Sequence, residues 1–188
     1  MATSHLILGG ARSGKSRYAV GSAPALGRVT FVATAHQAGD GDMAARVARH
    51  RAERPARWAT VEAPYDLAAA VEKLGPDALD AVIVDCLTVW VGNRVLRHDT
   101  DAAVLADTDR LAAVAARPPW DLTIVTNEVG EGVHPETAAG LRFRDLLGIV
   151  NQRLAAACDR VTLMVAGLPV AVKAPAPAPP HDFGPQTA

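Results

Sequence analysis

A glycine-rich loop directly after a short apolar run constrains the fold of this chain more than any other feature. Residues 6–16 read LILGGARSGKS, in which Gly9, Gly14, Lys15 and Ser16 satisfy the spacing G-x-x-x-x-G-K-[ST]. The apolar residues predict a buried strand ending at Gly9, and the residues after the loop predict a helix whose free N–H groups face an anion. This arrangement predicts a loop that holds the phosphates of a nucleoside triphosphate.

Within this loop two side chains are expected to act on the nucleotide directly. Lys15 is predicted to counter the β- and γ-phosphate charges, and the Ser16 hydroxyl is predicted to ligate Mg²⁺. A chance glycine turn would not require a strand before it and a helix after it, and the sequence predicts both. The predicted nucleotide-binding residues of the loop are Gly9, Gly10, Ala11, Arg12, Ser13, Gly14, Lys15 and Ser16.

Charge and length limit the classes of protein to which the chain can belong. Its 188 residues suit one domain, and nineteen basic against twenty acidic residues leave a net charge of −1. A nucleic-acid binder typically draws roughly 6 to 10 phosphate contacts from a basic face, so we expect no nucleic-acid partner. Apolar runs are too short for a membrane span, and no signal segment is apparent, which predicts a cytoplasmic protein. Cys86 and Cys158 are expected to be buried free thiols.

Short β-rich runs alternate with alanine-rich helical stretches along the chain. This alternation, with the phosphate loop, predicts an α/β fold of the P-loop NTPase (RecA-like) class, a three-layer sandwich with a mostly parallel central sheet. The predicted strands are His5–Leu8, Arg28–Ala33, Trp58–Val61, Ala81–Val84, Leu122–Thr126, Val161–Val165 and Val170–Val172. The predicted helices are Gly14–Ala23, Asp42–Ala52, Asp66–Leu74, Thr88–Leu96, Asp101–Ala116 and Pro135–Ala157, the last with a possible bend or break at Gly140 and Gly148.

The end of the chain has a different composition. After Lys173 it alternates proline with alanine, a pattern that neither pairs in a sheet nor continues a helix. We therefore expect a single nucleotide-binding and catalytic domain over residues 1–173 and a disordered tail over residues 174–188.

Asp85 ends the apolar run Ala81–Val84. A carboxylate at the carboxyl end of a strand in a P-loop fold is placed to join the magnesium shell, so Ser16 and Asp85 are the predicted metal ligands. An N-cap role for the following helix is the alternative.

An arginine-rich stretch around His50 has two interpretations. Arg46, Arg49, Arg51 and Arg54 surround this histidine. Forked arginines bind phosphate oxygens, and neutral imidazole attacks phosphorus, so the stretch fits an anion site with a nucleophile. It also fits a solvated helix face whose arginines pair with acids, and the stretch alone favours that interpretation. Of the remaining histidines, His5, His98 and His181 are expected to be solvated or on the side of a strand, whereas His36 and His134 are expected in loops that approach the site.

The segment Thr126–Gly130 follows a predicted strand, so its polar groups should lie on the same rim as the phosphate loop. Glu128 is placed to orient substrate or water there, or else to stabilise a turn. No N-K-x-D element is present, so the usual guanine-reading signature of regulatory GTPases is missing.

Taken together, these residues resemble the bifunctional adenosylcobinamide kinase / adenosylcobinamide-phosphate guanylyltransferase family of cobalamin biosynthesis. The resemblance covers about residues 5 to 173. The matching segments are the phosphate loop, residues 32–35, 43–46, His50-Arg51 with Arg54-Pro55, residues 58–62, 85–88, Thr126–Gly130 with Gly132 and Pro135, Phe143–Asp145, Asn151-Gln152 and Gly167–Pro169.

The resemblance implies roles for particular residues and partners. It assigns to His50 the role of accepting the nucleotide and thereby reverses the preference for a solvated face. Lys15, which the phosphate loop itself singles out, is the other predicted catalytic residue. It implies Mg²⁺, GTP and ATP as cofactor and substrates, adenosylcobinamide and its phosphate as partners, and a homotrimer. The residues it places around GTP are Thr34, Ala35, His36, Arg51, Ala52, Glu53, Arg54, Glu62 and Asp85.

One departure from the family pattern concerns A-R-x-F-R-D. This chain has Leu141 in place of the first arginine, which leaves open whether Arg142 replaces it. Two other functions also fit the phosphate loop: a small-molecule kinase without nucleotidyl transfer, and a GTP-regulated binding protein.

Overall fold

The computed structural model describes residues 2–24, 27–35, 54–76, 79–132 and 134–174. The predicted helix Asp42–Ala52 and most of the proline-rich tail lie outside these ranges. The described residues form seven strands and five helices. The strands are β1 (Ser4–Gly9), β2 (Val29–Ala33), β3 (Ala59–Glu62), β4 (Ala81–Asp85), β5 (Asp121–Val125), β6 (Arg160–Val165) and β7 (Leu168–Lys173); the helices are α1 (Lys15–Ser22), α2 (Leu67–Glu72), α3 (Leu87–Leu96), α4 (Asp101–Ala116) and α5 (Ala138–Ala157).

All seven strands belong to one sheet with the order β3-β2-β4-β5-β1-β6-β7. Every neighbouring pair is parallel except β6 and β7, which form an antiparallel hairpin at one edge. The carboxyl ends of β1, β2, β4 and β5 therefore meet on one rim, which confirms the mostly parallel sheet that the sequence predicts.

The two faces of the sheet are covered by different helices. Side chains that alternate along a strand point to opposite faces, and Leu6 and Ile7 of β1 accordingly belong to separate apolar clusters. The cluster with Leu6 includes residues of α2, α3, α4 and α5, whereas the cluster with Ile7 includes Ala19 of α1. Helices on both faces of a parallel sheet make the expected three layers.

Helix α5 runs without a break from Ala138 to Ala157, so its glycines do not split it. It begins at Ala138, after Thr137, whose hydroxyl accepts a hydrogen bond from the Gly140 N–H at 3.0 Å. Gly140 thus lies in the capped first turn. Leu147 and Val150, close to Gly148 in the helix, are fully buried, and the burial of these side chains offsets the low helix propensity of the glycine.

The edge hairpin is attached to the end of α5 by one lysine. The Lys173 ammonium group donates to the carbonyl oxygens of Ala155, Ala156 and Cys158 at 3.2, 2.9 and 2.6 Å. These are carbonyls that a helix end leaves unpaired, and a positive charge there also favours the helix dipole. The other side chains of β7 are exposed, including Leu168, Val170 and Val172.

The structure decides two sequence expectations about single residues. Of the two positions considered for His5, it has the one on a strand: it lies on β1 with 5% of its surface exposed, and its Nε2 is 2.8 Å from the Thr162 hydroxyl. Both cysteines are free as expected; Cys158 is fully buried, whereas Cys86, directly after β4, is half-buried.

Candidate active site at the carboxyl ends of the strands

The phosphate loop joins β1 to α1 in a conformation that depends on two glycines. Gly9 has a φ of 151° and Gly14 a φ of 94°, values that side chains disfavour. A Cβ atom on Gly9 would lie 2.6 Å from the Met164 carbonyl oxygen of the neighbouring strand β6. The loop can therefore turn tightly against the sheet only because this position lacks a side chain.

Arg12 carries the remaining unusual backbone angle of the loop. Its φ is 60°, in the left-handed region that is uncommon for a residue other than glycine. Its side chain is exposed at the tip of the loop. Such backbone conformations concentrate at ligand-binding sites, where the surrounding structure maintains them.

Lys15 is the first residue of α1 and is 7% exposed. Its ammonium group donates to the Gly10 carbonyl oxygen at 2.5 Å and lies 3.5 Å from the Ser13 hydroxyl. Burial lowers the pKa of Lys15, while the nearby side chains of Cys86 and Asp85 act in the opposite direction. The lysine is thus held inside its own loop, close to the end of β4.

Asp85 ends β4 and is half-buried, next to the backbone of Thr34. The Thr34 N–H donates to the Asp85 carbonyl oxygen at 3.2 Å. The Thr34 hydroxyl donates to the Cys86 carbonyl oxygen at 2.7 Å and accepts from the Cys86 N–H at 2.9 Å. Thr34 is fully buried, so in this structure its hydroxyl joins β2 to β4.

Burial and the adjacent Asp85 charge raise the pKa of the Cys86 thiol to about 12. The thiol is therefore protonated at neutral pH and carries no nucleophilic thiolate.

The segment Thr126–Gly130 lies beside the phosphate loop, as its position after β5 predicts. The Glu128 N–H donates to the Gly9 carbonyl oxygen at 3.3 Å. The Asn127 N–H donates to the Thr88 hydroxyl at 2.8 Å, so the segment is also joined to the start of α3. The Glu128 carboxylate accepts from the Gly130 N–H at 3.2 Å, which is the turn-stabilising role considered for it.

Sequence reasoning missed two of the contacts that hold this rim. Asn151 of α5, 5% exposed, accepts from the Thr126 hydroxyl at 2.8 Å and donates to the Asn127 carbonyl oxygen at 3.0 Å. The Gly167 N–H, in the turn between β6 and β7, donates to the Ser13 carbonyl oxygen at 3.0 Å. One signal in the sequence pointed to these two contacts: Asn151 and Gly167 lie in segments that match the family named above.

The remaining predicted residues divide into those the structure describes and those it does not. Arg54 is described, and its guanidinium carbon lies 3.6 Å above the ring centre of Phe31 on β2. Glu62 ends β3 and is exposed, and Ala35 follows Thr34 on the rim. His36, Arg46, Arg49, His50, Arg51, Ala52 and Glu53 lie outside the described residues.

Leu141 and its neighbours lie at the start of α5. Leu141 is half-buried, and Arg142 donates through Nε to the Asp101 carboxylate at 2.7 Å and through its Nη2 to the Asp99 carbonyl oxygen. Arg142 therefore joins α5 to the start of α4. The exposed His134 ring is 3.0 Å from the Arg144 guanidinium.

Within the described ranges, no group of three or more His, Cys, Asp or Glu side chains is arranged to hold a metal ion. None of the helices in these ranges has the length and apolar character that crossing a bilayer requires.

Comparison with known proteins agrees with the resemblance noted in the sequence. The family model described as cobinamide kinase / cobinamide phosphate guanyltransferase matches residues 5–172. The bifunctional adenosylcobalamin biosynthesis protein CobP of Pseudomonas aeruginosa is 44% identical over 169 residues, which cover 89% of this chain and 96% of CobP. The corresponding CobU of Salmonella typhimurium is 41% identical, with coverage of 89% and 98%.

Solved structures support the fold alone. An ATPase from the type III secretion system of pathogenic bacteria superposes with a TM-score of 0.52 at 11% identity. The match covers 87% of this chain and 51% of that ATPase. This likeness shows that the chain has the same kind of fold as that ATPase.

Proposed function

The chain belongs to the cobinamide kinase / cobinamide phosphate guanyltransferase family, and we propose that it catalyses both reactions at the rim described above. It phosphorylates the hydroxyl of adenosylcobinamide with ATP or GTP. It then transfers GMP from GTP to that phosphate, giving adenosyl-GDP-cobinamide. The observation that carries this proposal is the complete phosphate loop beside Asp85, within a chain matched to the family over residues 5–172.

In the kinase reaction the substrate hydroxyl oxygen forms a bond to the γ-phosphorus as the bond from that phosphorus to the leaving nucleoside diphosphate breaks, and the hydroxyl proton passes to solvent. The loop backbone binds the phosphates, and Lys15 stabilises the charge that develops on the transferred group. To do so its ammonium group exchanges the Gly10 carbonyl oxygen for phosphate oxygens. This step requires no nucleophile from the protein.

The guanylyl transfer in this proposal goes through a protein nucleophile, and the family resemblance assigns that role to His50. A ring nitrogen of His50 bonds to the α-phosphorus of GTP as pyrophosphate leaves. The phosphate oxygen of adenosylcobinamide phosphate then bonds to the same phosphorus, the phosphorus–nitrogen bond breaks and the histidine is restored. Arginines around His50, including Arg54, supply cationic partners for the phosphate oxygens.

The chemistry of Ser16 and Asp85 suits Mg²⁺. A hydroxyl and a carboxylate are the oxygen ligands that this ion prefers, and in nucleotide sites it takes few protein ligands because phosphates supply others. Asp85 is close enough to Lys15 to influence its pKa. When bound, Mg²⁺ neutralises charge on the phosphates; Ser16 and Asp85 would hold it.

Replacing His50 tests the proposal. His50→Ala should abolish a covalent GMP adduct and GMP transfer while kinase activity remains measurable, because only the second reaction uses a protein nucleophile. Intact-protein mass spectrometry after incubation with GTP and Mg²⁺ measures the adduct, which should be acid-labile and base-stable as a phosphorus–nitrogen bond is.

Two controls accompany this measurement. His98→Asn replaces an exposed histidine and should leave the adduct unchanged; asparagine tolerates the positive φ of 63° at that position. An acid-labile GMP adduct on His50→Ala would place the nucleophile elsewhere, with His36 and His134 next to be replaced. A wild-type chain that phosphorylates adenosylcobinamide but never carries GMP would instead be a kinase alone.

A further inference from the structure

Asn127 follows β5, the strand that lies between β1 and β4 in the sheet. Strand β1 leads into the phosphate loop, and β4 ends at Asp85. The parallel registers place Val125, the last residue of β5, opposite both Ile7 and Asp85. At the carboxyl rim, Asn127 therefore lies between the strand that carries the phosphate loop and the strand that carries the predicted metal ligand.

The pairing of β5 with β1 continues past the end of the strand. The Thr126 N–H donates to the Ile7 carbonyl oxygen at 3.0 Å. Two residues further on, the Glu128 N–H donates to the Gly9 carbonyl oxygen at 3.3 Å. Because the chain is still paired as a parallel strand here, its side chains keep alternating between the two faces of the sheet.

This alternation places Asn127 on the face of the sheet that α1 covers. Ile124 of β5 belongs to the apolar cluster with α2 to α5, whereas Val125 belongs to the cluster with α1. Asn127 is two residues after Val125 and shares its face. Asp85 likewise shares the face of Ile83, which is also in the α1 cluster. Both polar residues thus lie on the face on which the phosphate loop enters α1.

Both backbone polar groups of Asn127 are held by other side chains. Its N–H donates to the Thr88 hydroxyl at 2.8 Å, and its carbonyl oxygen accepts from the Asn151 amide at 3.0 Å. Asn151 is buried and also accepts from the Thr126 hydroxyl at 2.8 Å. The position of Asn127 on the rim is therefore set without any contribution from its own side chain.

The chain has three asparagines, and two of them use their side chains inside the protein. The Asn93 amide donates to the Thr34 and Pro64 carbonyl oxygens at 2.9 and 3.0 Å. The Asn151 amide holds the rim as described. Asn127 is half-buried, and among the described residues its side chain has no hydrogen-bond partner. A rigidly held amide thus faces the nucleotide side of the sheet with both donors available.

We propose that Asn127 is a catalytic residue whose side-chain amide donates a hydrogen bond to a γ-phosphate oxygen of the bound triphosphate. This inference rests on the proposed function. Phosphate oxygens accept hydrogen bonds, and a bond to a charged acceptor is stronger than one between neutral groups. The γ-phosphoryl group is the one that the kinase reaction transfers, so this amide acts on the charge that moves in that step.

The test is Asn127→Ala, with Mg²⁺-dependent binding of ADP and of the β,γ-imido analogue of ATP measured by calorimetry. The analogue should bind roughly 10- to 100-fold more weakly to the variant, because a hydrogen bond to a charged group is lost. ADP has no γ-phosphate, so its affinity should stay within about twofold of wild type. The kcat of the kinase reaction should fall by on the order of 10².

Two further variants sharpen the comparison. Asn127→Asp keeps the shape of the side chain but replaces both donors with a negative charge, so the analogue should bind more weakly than to Asn127→Ala. Gln152→Ala removes the same kind of amide from the exposed side of α5 and should leave both affinities as in wild type. Thermal melts of the Asn127 variants should match wild type, because the bonds that hold this residue come from its backbone.

Equal weakening of ADP and analogue binding by Asn127→Ala, or no weakening of either, would overturn the assignment. Failure of both Asn127 variants to fold would do the same, since the amide would then be structural. A wild-type chain that never phosphorylates adenosylcobinamide would overturn the proposed function. The γ-phosphate contact would still stand in that case if the binding contrast is found, because neither ligand in the binding measurement is a corrinoid.

Discussion

Lys15 is a side chain on which both proposed reactions depend. Lys15→Ala should slow phosphoryl transfer and GMP transfer by on the order of 10² to 10³, because one preorganised charge on the phosphates is lost. The fold should survive, since within the described ranges the ammonium group is bonded to its own loop, at Gly10 and Ser13. Rates of both reactions and a thermal melt check this. Either reaction near the wild-type rate would show that the loop does not serve both.

His5 gives the folded chain a sensitivity to acid. Burial, with Arg160 adding to the effect, lowers the pKa of His5 from 6.5 to about 4. Between these values the unfolded chain binds a proton that the folded chain does not, so stability falls as the pH is lowered from 6.5 toward 4. At about 1.4 kcal/mol for each pH unit, the loss is at most about 3 kcal/mol.

Substitution by glutamine isolates this effect. His5→Gln keeps a polar group beside Thr162 but does not titrate, so its free energy of unfolding should vary less with pH over this range. Urea unfolding at several pH values measures the difference, with His98→Asn as the exposed control. Parallel pH profiles for wild type and His5→Gln would show that His5 titrates normally in the folded chain.

The conformation of the phosphate loop depends on Gly9 more than on the adjacent Gly10. Gly9→Ala would place a methyl group 2.6 Å from the Met164 carbonyl oxygen, which pairing between β1 and β6 holds in place. With the unfavourable φ added, we expect a loss of about 2 kcal/mol or more. Gly10→Ala, which meets no atom within 4 Å, should change stability by less than about 0.5 kcal/mol. Urea unfolding without nucleotide compares them; equal losses would contradict this account of the loop.

Strands of this fold were predictable because parallel strands buried on both faces appear as continuous apolar runs. The run Ala81–Val84 with its terminal Asp85 is an example, and it forms β4. The edge strand β7 was predicted too short, as Val170–Val172: it begins at Leu168 and includes Pro169, because proline is tolerated where the N–H of an edge strand has no partner. Helix α5 was predicted to bend or break because propensity alone ignores the packing around Gly148.

The parts of the candidate site that could be predicted are those that depend on residues close together in the sequence. The loop with Lys15 and the position of Asp85 follow from spacing and from the end of a strand, both of which are local. The bonds of Asn93 to Thr34 and of Gly167 to Ser13 join residues far apart in the chain. No spacing rule states which helix lies over which strand ends, so these contacts required the folded sheet.

For the assembled protein we expect the homotrimer that the family resemblance implies. The exposed apolar side chains of β7, with Leu168 69% and Val172 64% exposed, are the kind of edge that association protects from water. Light scattering coupled to size-exclusion chromatography should give three times the 19.6 kDa mass of one chain. The monomer mass across a range of protein concentrations would contradict this expectation.

The strand order also determines when nucleotide binding becomes possible during synthesis. Strand β1 leaves the ribosome first, yet its two neighbours in the sheet are β5 and β6. The turn that contacts Ser13 comes later still, at Gly167. A nascent chain therefore carries a complete phosphate-binding sequence long before that sequence has any strand to pair with. Pairing between strands so far apart in the sequence slows folding. Until β5 and β6 are synthesised, the apolar side chains of β1 stay uncovered, and a nascent chain in this state is prone to aggregate without a chaperone.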